Sequence, residues 1–162
     1  MIQANAYSGN KEKDYQLLNK QLKALIEDET DAIAILSNAS ALLNQFLNDV
    51  NWVGFYLWKD EEDELILGPF QGLPACVHIA FGKGVCGTAV KERSTQVVPD
   101  VHHFPGHIAC DSASRSEIVV PITVDGFIYG VLDIDSPITD RFDEIDQKYL
   151  EEFTAILEQF LS

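Results

Sequence analysis

The sequence predicts an α+β domain in which an antiparallel sheet is covered by helices from both ends of the chain. Apolar residues recur at helical spacing near both ends, and a period of two replaces that spacing in the middle. The length of 162 residues fits one compact domain. We therefore expect a single domain over residues 1–162, in which residues 1–12 are poorly ordered.

Two amphipathic helices are predicted before the sheet, over residues 11–28 and 31–48, and another helix begins near Asp143. Each carries apolar side chains three and four residues apart, which places them on one face. These faces comprise Tyr15, Leu18, Leu22, Leu25 and Ile26; Leu36, Ala39, Leu43, Phe46 and Leu47; and Ile145, Tyr149, Phe153, Ile156, Phe160 and Leu161.

Strands are predicted between these helices. In NWVGFYLWK, which begins at Asn51, Trp52 and Tyr56 share one face while Val53 and Phe55 share the other. The remaining predictions are strands over 64–70 and 77–81, a short helix in GTAVKER, a brief strand in TQVVPD and a final hairpin.

The hairpin joins EIVVPITV to FIYGVLDID through an Asp-Gly turn at 125–126. A two-residue loop would place Glu117 on the opposite face from Asp133 and Asp135. A three-residue loop that includes Val124 pairs Glu117 with Asp133 and makes the other face wholly apolar, so burial favours it. That apolar face would comprise Ile118, Val120, Ile122, Ile128, Gly130, Leu132 and Ile134.

Like charges across a strand pair are destabilising, so the acidic group Glu117, Asp133 and Asp135 needs an explanation. It is either a solvated rim, neutralised in part by Arg115 roughly opposite Asp135, or a cage for a small cation such as an ammonium group. A metal ion is a third interpretation, although hard divalent cations usually have a more explicit oxygen-rich loop. The charge pattern leaves these interpretations open.

The chain has three cysteines, Cys76, Cys86 and Cys110, and no CxxC pair, which argues against a secreted disulfide framework or a four-cysteine zinc site. Cys76 lies in the loop sequence GLPAC. Cys86 lies near a helix N-terminus, whose N–H groups would stabilise a thiolate, and His107 or Arg115 would favour a thiolate at Cys110. The cysteines are either buried core residues or redox-active, and their contexts favour redox chemistry.

Composition and charge exclude several classes of function. A formal net charge of −15 repels phosphate backbones and anionic lipid surfaces. No apolar run approaches the roughly 20 residues of a membrane span, and the N-terminus lacks the features of a signal peptide. We expect a cytoplasmic protein with no nucleic-acid or membrane partner.

Two further motifs are weak. The G-x-G-x-x-G pattern at 82–87 is followed by a short helix and no run of βαβ units, which disfavours dinucleotide binding. The segment HHFPGHIAC at 102–110 contains candidate metal ligands, but proline and glycine interrupt it and no fourth ligand is evident. Neither a dinucleotide site nor a zinc site is therefore expected at these two motifs.

The segments NWVGFYLW, LGPFQGLPACVHIAFGKGVCGTAV, VPDVHHFPGHIACDSASRSEIVVPI and GVLDIDSP together resemble the free methionine-(R)-sulfoxide reductase family, which is built on a GAF domain. The resemblance runs from about residue 15 to the C-terminus and includes all three cysteines and the three carboxylates. It implies a six-stranded antiparallel sheet packed by helices, homodimers formed through the terminal helices, and free methionine-(R)-sulfoxide as the substrate.

The resemblance also implies roles for the cysteines. Cys110 would attack the sulfoxide sulfur and become a sulfenic acid when methionine leaves. Cys86 would resolve the sulfenic acid as a disulfide, with Cys76 as an alternative or secondary resolving thiol. Thioredoxin is the implied reductant, and no bound cofactor is required.

Physical reasoning adds roles for the other candidates. Glu117, Asp133 and Asp135 would protonate the sulfoxide oxygen and bind the ammonium group, in a division of tasks that the sequence leaves open. Trp52 and Tyr56 would form an apolar wall for the methyl-sulfur end, or simply pack in the core. Two alternatives remain: a non-catalytic GAF domain that binds a small ligand, and a redox sensor whose disulfide alters dimer contacts.

Overall fold

The computed structural model of the chain describes residues 8–107 and 112–162. Along the chain, the elements are α1 (Lys11–Ile26), α2 (Ala32–Phe46), β1 (Trp52–Lys59), β2 (Glu64–Gly72), β3 (His78–Ala80), α3 (Gly84–Glu92), β4 (Gln96–Val98), β5 (Ser116–Val124), β6 (Phe127–Ser136) and α4 (Glu144–Glu158), with short 3-10 helices at Asp60–Glu62 and Val101–His103. The strands form one six-stranded sheet in the order β3-β2-β1-β6-β5-β4. Every neighbouring pair is antiparallel, which confirms the predicted fold class.

The two faces of the sheet carry different layers. Val53 and Phe55 of β1 are buried in the main core with α1, α2 and α4. Trp52 and Tyr56 project to the other face and are buried in a second apolar cluster that includes α3. The alternation predicted for β1 is thus confirmed, and it separates the structural core from the face that carries the candidate site.

The predicted helix faces are buried with few exceptions. Leu25 is 38% exposed, so its predicted place in the core is wrong. Leu150 and Leu157 of α4 are fully buried and complete a face that the sequence analysis described only in part. None of the described helices combines the length and apolar character needed to cross a membrane.

The start of the chain departs from its prediction where it is described. Residues 1–7 lie outside the described residues. The side chain of Asn10 caps α1 by accepting a backbone hydrogen bond, and Lys11 Nζ lies 2.8 Å from a carboxylate oxygen of Asp146 in α4. The expectation of a poorly ordered start is therefore wrong for residues 8–12, because capping and an ion pair hold them in the fold.

The hairpin between β5 and β6 closes through two residues, not three. Val124 pairs with Phe127, and the turn residues Asp125 and Gly126 have φ values of 54° and 83°. Positive φ at both positions is what a type I′ turn requires. The register then shifts beyond Ile122, where a β-bulge adds one residue to β6.

This bulge shifts the alternation of side chains by one residue, which is the shift that the predicted three-residue loop would have produced. A shift of one residue reverses the alternation, so Ile118, Val120, Ile122, Leu132 and Ile134 still enter the main core. Ile128 lies between the turn and the bulge and packs against the second cluster instead. The predicted loop was wrong, while most of the predicted face was right.

The same register changes the partners of the acidic residues. Glu117 lies opposite Asp135, and Asp133 lies opposite Val119. The predicted pairing of Glu117 with Asp133 is therefore wrong, although the three carboxylates share one face. Arg115 precedes β5 and is exposed, so it does not face Asp135 as a neutralising charge.

Candidate active site

A cavity lies on the second face of the sheet, between the central strands and the N-terminus of α3. Six predicted site residues line it, namely Trp52, Tyr56, Cys86, Glu117, Asp133 and Asp135. Cys76 follows Ala75, another lining residue, and is half-buried and disulfide-bonded. The predicted nucleophile Cys110 lies outside the described residues.

The carboxylates of this cavity are largely removed from water. Glu117 and Asp133 are each 5% exposed, and Asp135 is half-buried. Burial raises the pKa of Glu117 well above its usual range, and the negative charges of Asp133 and Asp135 raise it further. Glu117 is thus held towards its neutral form, which has a proton to donate.

Asp133 is the acceptor at the centre of this cluster. Burial raises its pKa, while hydrogen bonds donated by Glu117 and Cys86 act in the opposite direction. Its Oδ1 atom is buried and has no hydrogen-bond partner within residues 8–107 and 112–162. Because an unpaired buried acceptor is costly, the cavity is complementary to a donor or a cation that arrives from outside.

The environment of Cys86 differs from the prediction. Its thiol is free and 4% exposed, at the first turn of α3, where a helix N-terminus was expected to stabilise a thiolate. Burial instead raises its pKa, and the charges of Asp133 and Glu117 raise it further. Cys86 is therefore a neutral thiol within an apolar cluster, and its predicted non-core context was wrong.

The aromatic pair combines the two roles proposed for it. The ring of Trp52 stacks on Tyr56 and Phe70 at centroid distances of 5.7 and 5.1 Å. Trp52 Nε1 donates to the carbonyl oxygen of Leu73 at 3.2 Å, and the Tyr56 hydroxyl donates to that of Cys76 at 2.9 Å. The pair thus lines the cavity, packs in a core and anchors the loop that carries Cys76.

From the sequence, His107 was a group that would favour a thiolate at Cys110 and a weak candidate metal ligand, with no predicted contact to the carboxylates. In the structure, His107 lines the cavity, and its Nε2 lies 3.9 Å from Glu117 Oε1. Burial lowers the pKa of His107, and the proximity of His102 lowers it further, so a neutral imidazole is favoured. No local pattern placed this side chain beside a strand ten residues further along the chain.

The N-terminus of α3 also reaches the cavity. Lys83, Gly84 and Val85 line it, where the first backbone N–H groups of a helix have no partner inside the helix. Such groups, together with a lysine, attract an anion. The glycine pattern at 82–87 therefore does mark a helix start at the site, although the antiparallel sheet around it is not a dinucleotide-binding fold.

The fold is that of a GAF domain, and residues 31–161 match that domain. The chain is 52% identical to the free methionine-R-sulfoxide reductase of Escherichia coli (strain K12) over 153 residues, which cover 94% of this chain and 92% of that protein.

Two solved structures extend this similarity. The fRMsr of Staphylococcus aureus in complex with substrate is 66% identical, with a TM-score of 0.87 and coverage of 91% of this chain and 95% of that chain. The free methionine-R-sulfoxide reductase from Neisseria meningitidis in complex with its substrate is 47% identical, with a TM-score of 0.92 and coverage of 95% and 92%. This chain belongs to the free methionine-R-sulfoxide reductase family of GAF-domain oxidoreductases, which confirms the resemblance seen in the sequence.

The buried position of Glu117 predicts a pH-dependent stability. Because its folded pKa is raised, this group favours folding below its unfolded pKa of about 4.3, and that advantage is lost as pH rises through the folded pKa. Glutamine cannot ionise. Between about pH 5 and pH 8, Glu117→Gln should therefore gain about 1 kcal/mol or more in unfolding free energy relative to wild type.

Urea unfolding at the two pH values measures this difference. Glu62→Gln, at an exposed position, is the matched control and should follow the wild type at both. If the difference in unfolding free energy between wild type and Glu117→Gln is the same at both pH values, the raised pKa of Glu117 is contradicted.

Proposed function

We propose that this protein reduces free methionine-(R)-sulfoxide to methionine. The observation that carries the proposal is the cavity in which buried carboxylates face an aromatic wall, and in which one carboxylate oxygen has no hydrogen-bond partner among the described residues. Such a cavity suits a whole amino acid that carries a cationic group and a small apolar end. The relatives that share this fold at high identity bear the name of that activity.

In this proposal the carboxylates select a free amino acid. Asp133 Oδ1 accepts a hydrogen bond from the substrate ammonium group, while Asp135 and Glu117 supply further negative charge or acceptors. A methionine sulfoxide inside a protein has a peptide nitrogen in place of the ammonium group. That nitrogen is neutral and has no positive charge to balance the buried carboxylates, which is a basis for discrimination.

The other end groups of the substrate have matching partners. The substrate carboxylate is placed near Lys83 and the free N–H groups at the start of α3, which attract an anion. The methyl-sulfinyl end is placed against Trp52, whose ring offers an apolar surface. The two charged groups of a zwitterion are thereby assigned to opposite charges in the cavity.

Glu117 is proposed as the acid that protonates the sulfoxide oxygen. Its raised pKa supports this role, because a carboxyl group that keeps its proton above its usual range has a proton available for a poor leaving group. The Cys110 thiolate attacks the sulfoxide sulfur, the protonated sulfoxide oxygen is transferred to the sulfur of Cys110 as the bond between the two sulfurs breaks, and methionine departs with its own sulfur. Cys110 is thus oxidised to a sulfenic acid as the sulfoxide is reduced.

We place Cys76 ahead of Cys86 as the thiol that resolves this sulfenic acid, reversing the order expected from the sequence. Two observations support the reversal: Cys76 is disulfide-bonded, whereas the Cys86 thiol is free, buried and of raised pKa. Attack by a thiol on the sulfenic acid forms a disulfide and releases water.

Thioredoxin and a second copy of this chain are the other proposed partners. Thioredoxin is proposed as the dithiol that returns the disulfide to two thiols, in the cytoplasm, where such exchange is sustained. A homodimer formed through the terminal helices would cover exposed apolar side chains such as Leu25 and Ile33.

Turnover tests the proposed reaction. Reduced protein supplied with thioredoxin or dithiothreitol should form methionine from the free R epimer, and not from the S epimer or a peptide-bound sulfoxide. Cys110→Ser should reduce methionine formation to background because it removes the nucleophile. Ser112→Ala, an exposed neighbour, is the control and should retain activity. If fully reduced protein turned over none of these substrates, a ligand-binding or redox-sensing GAF domain would be the better account.

Thiol counting tests the resolving residue. Reduced wild-type protein has three thiols and should keep one, on Cys86, after a single turnover without reductant. Cys86→Ser should fall from two thiols to none, because Cys76 still closes the disulfide. Cys76→Ser should fall from two thiols to one, because the sulfenic acid on Cys110 stays unresolved. Titration of denatured samples with a thiol reagent gives these counts, and the reverse pattern in the two variants would assign the step to Cys86.

A further inference from the structure

The cavity contains a set of potential metal-ligand atoms, and the proposed reduction does not use all of them. Cys86 Sγ, a carboxylate oxygen of Glu117 and one of Asp133 all lie within 4.8 Å of one another, and all three residues are buried. Asp133 Oδ1 also has no hydrogen-bond partner among the described residues. An ammonium group would bind the carboxylates but has no use for a sulfur ligand.

The chemistry of these atoms narrows the class of cation. Calcium and magnesium prefer oxygen ligands, so a thiol beside two carboxylates is a poor site for them. Zinc accepts cysteine sulfur, histidine nitrogen and carboxylate oxygen in one tetrahedral site. Other late first-row divalent ions, such as cobalt, bind similar sets of ligands.

We propose that Cys86, Glu117 and Asp133 bind a borderline-soft divalent cation such as Zn²⁺, and that the bound ion excludes an amino acid from the cavity. The metal site stands on the placement of these three residues and does not depend on the proposed reduction. The exclusion follows because the ion and the ammonium group of the proposed substrate would use the same carboxylate oxygens.

The dimensions of the cluster suit this ion. Zinc bonds of about 2.3 Å to sulfur and about 2.0–2.2 Å to oxygen place the ligand atoms of a tetrahedral site about 3.3–3.8 Å apart. Because the three atoms start within 4.8 Å of one another, they need to approach by at most about 1.5 Å, which is within the reach of side-chain rotation. Bonds to one cation would then take the place of the interactions that Cys86 and Glu117 make with Asp133.

The surroundings offer a fourth ligand. His107 lines the same cavity, with Nε2 at 3.9 Å from Glu117 Oε1, and imidazole nitrogen is a common zinc ligand. Asp135 adds a third carboxylate to the cavity. Lys83 is the opposing cationic side chain among the lining residues, so negative groups predominate around the ion.

The test uses a full-length chain in which Cys86 is the single cysteine, made by the double change Cys76→Ser and Cys110→Ser. Titration with Co²⁺ should give one equivalent of bound metal, a thiolate-to-cobalt charge-transfer absorption and intense visible bands of tetrahedral cobalt. Zn²⁺ should displace the cobalt and remove the bands. This readout requires no turnover.

Further variants of this background locate the ligands. Adding Cys86→Ser should abolish the charge-transfer absorption and weaken binding by at least about 10-fold, and adding Glu117→Gln should weaken binding similarly. Glu62→Gln, at an exposed position, is the matched control and should change neither. Circular dichroism and urea unfolding establish that each variant is folded. Cobalt binding of the same strength and spectrum after loss of Cys86 would overturn the proposed site.

Competition tests the second half of the proposal. Free methionine-(R)-sulfoxide should raise the apparent dissociation constant of Co²⁺ for the single-cysteine protein, and Zn²⁺ should raise the apparent KM of the wild-type enzyme without lowering kcat. Binding of the sulfoxide is first demonstrated independently. If a saturating concentration of it then leaves cobalt binding unchanged, the proposed exclusion of the amino acid by the metal ion is wrong. If the sulfoxide neither binds nor turns over, the proposed function fails, whereas the charge-transfer absorption still decides the metal site.

Discussion

The burial of Glu117 and Asp133 beside each other is the constraint on which the rest of the site depends. Two carboxylates on adjacent strands, each 5% exposed, cannot both ionise cheaply without a cation. Burial and the negative charges of Asp133 and Asp135 raise the pKa of Glu117, which holds this residue towards its neutral form. One oxygen of Asp133 still lacks a donor among the described residues, so the cavity retains affinity for a group with positive charge. The proposed acid, the proposed ammonium site and the proposed metal site all follow from this unbalanced charge.

The fold maintains this arrangement by dividing the sheet into two faces. Helices α1, α2 and α4 bury one face of β1, β5 and β6 in the main core, so these strands have a fixed register. The bulge near the β5–β6 turn then directs Glu117, Asp133 and Asp135 to the opposite face. There, α3 brings Cys86 and its free N–H groups over the sheet, and Trp52 and Tyr56 anchor the loop of Cys76. The free energy gained in the core thereby offsets the cost of burying the polar cluster.

Local patterns predicted the parts of this arrangement that depend on local rules. Alternation separated Trp52 and Tyr56 from Val53 and Phe55, and an apolar face assigned the three carboxylates to one side of the hairpin. The apolar pattern could not distinguish a three-residue loop from a two-residue turn with a bulge, because both shift the alternation in the same way. The thiol of Cys86 was misjudged because its position in α3 is local, whereas its burial against Asp133 is tertiary. The proximity of His107 to Glu117 likewise required the folded chain, as did the Asp133 oxygen that lacks a partner within the described part of the chain.

The buried carboxylates are proposed to recognise the ammonium group of a free amino acid. The most direct measurement is calorimetric titration of the Cys110→Ser protein with free methionine-(R)-sulfoxide and with R-configured 4-(methylsulfinyl)butanoate, which lacks only the ammonium group. The account predicts that the analogue binds at least about 100-fold more weakly, because it leaves Asp133 without a donor. Equal affinity for the two compounds would contradict it.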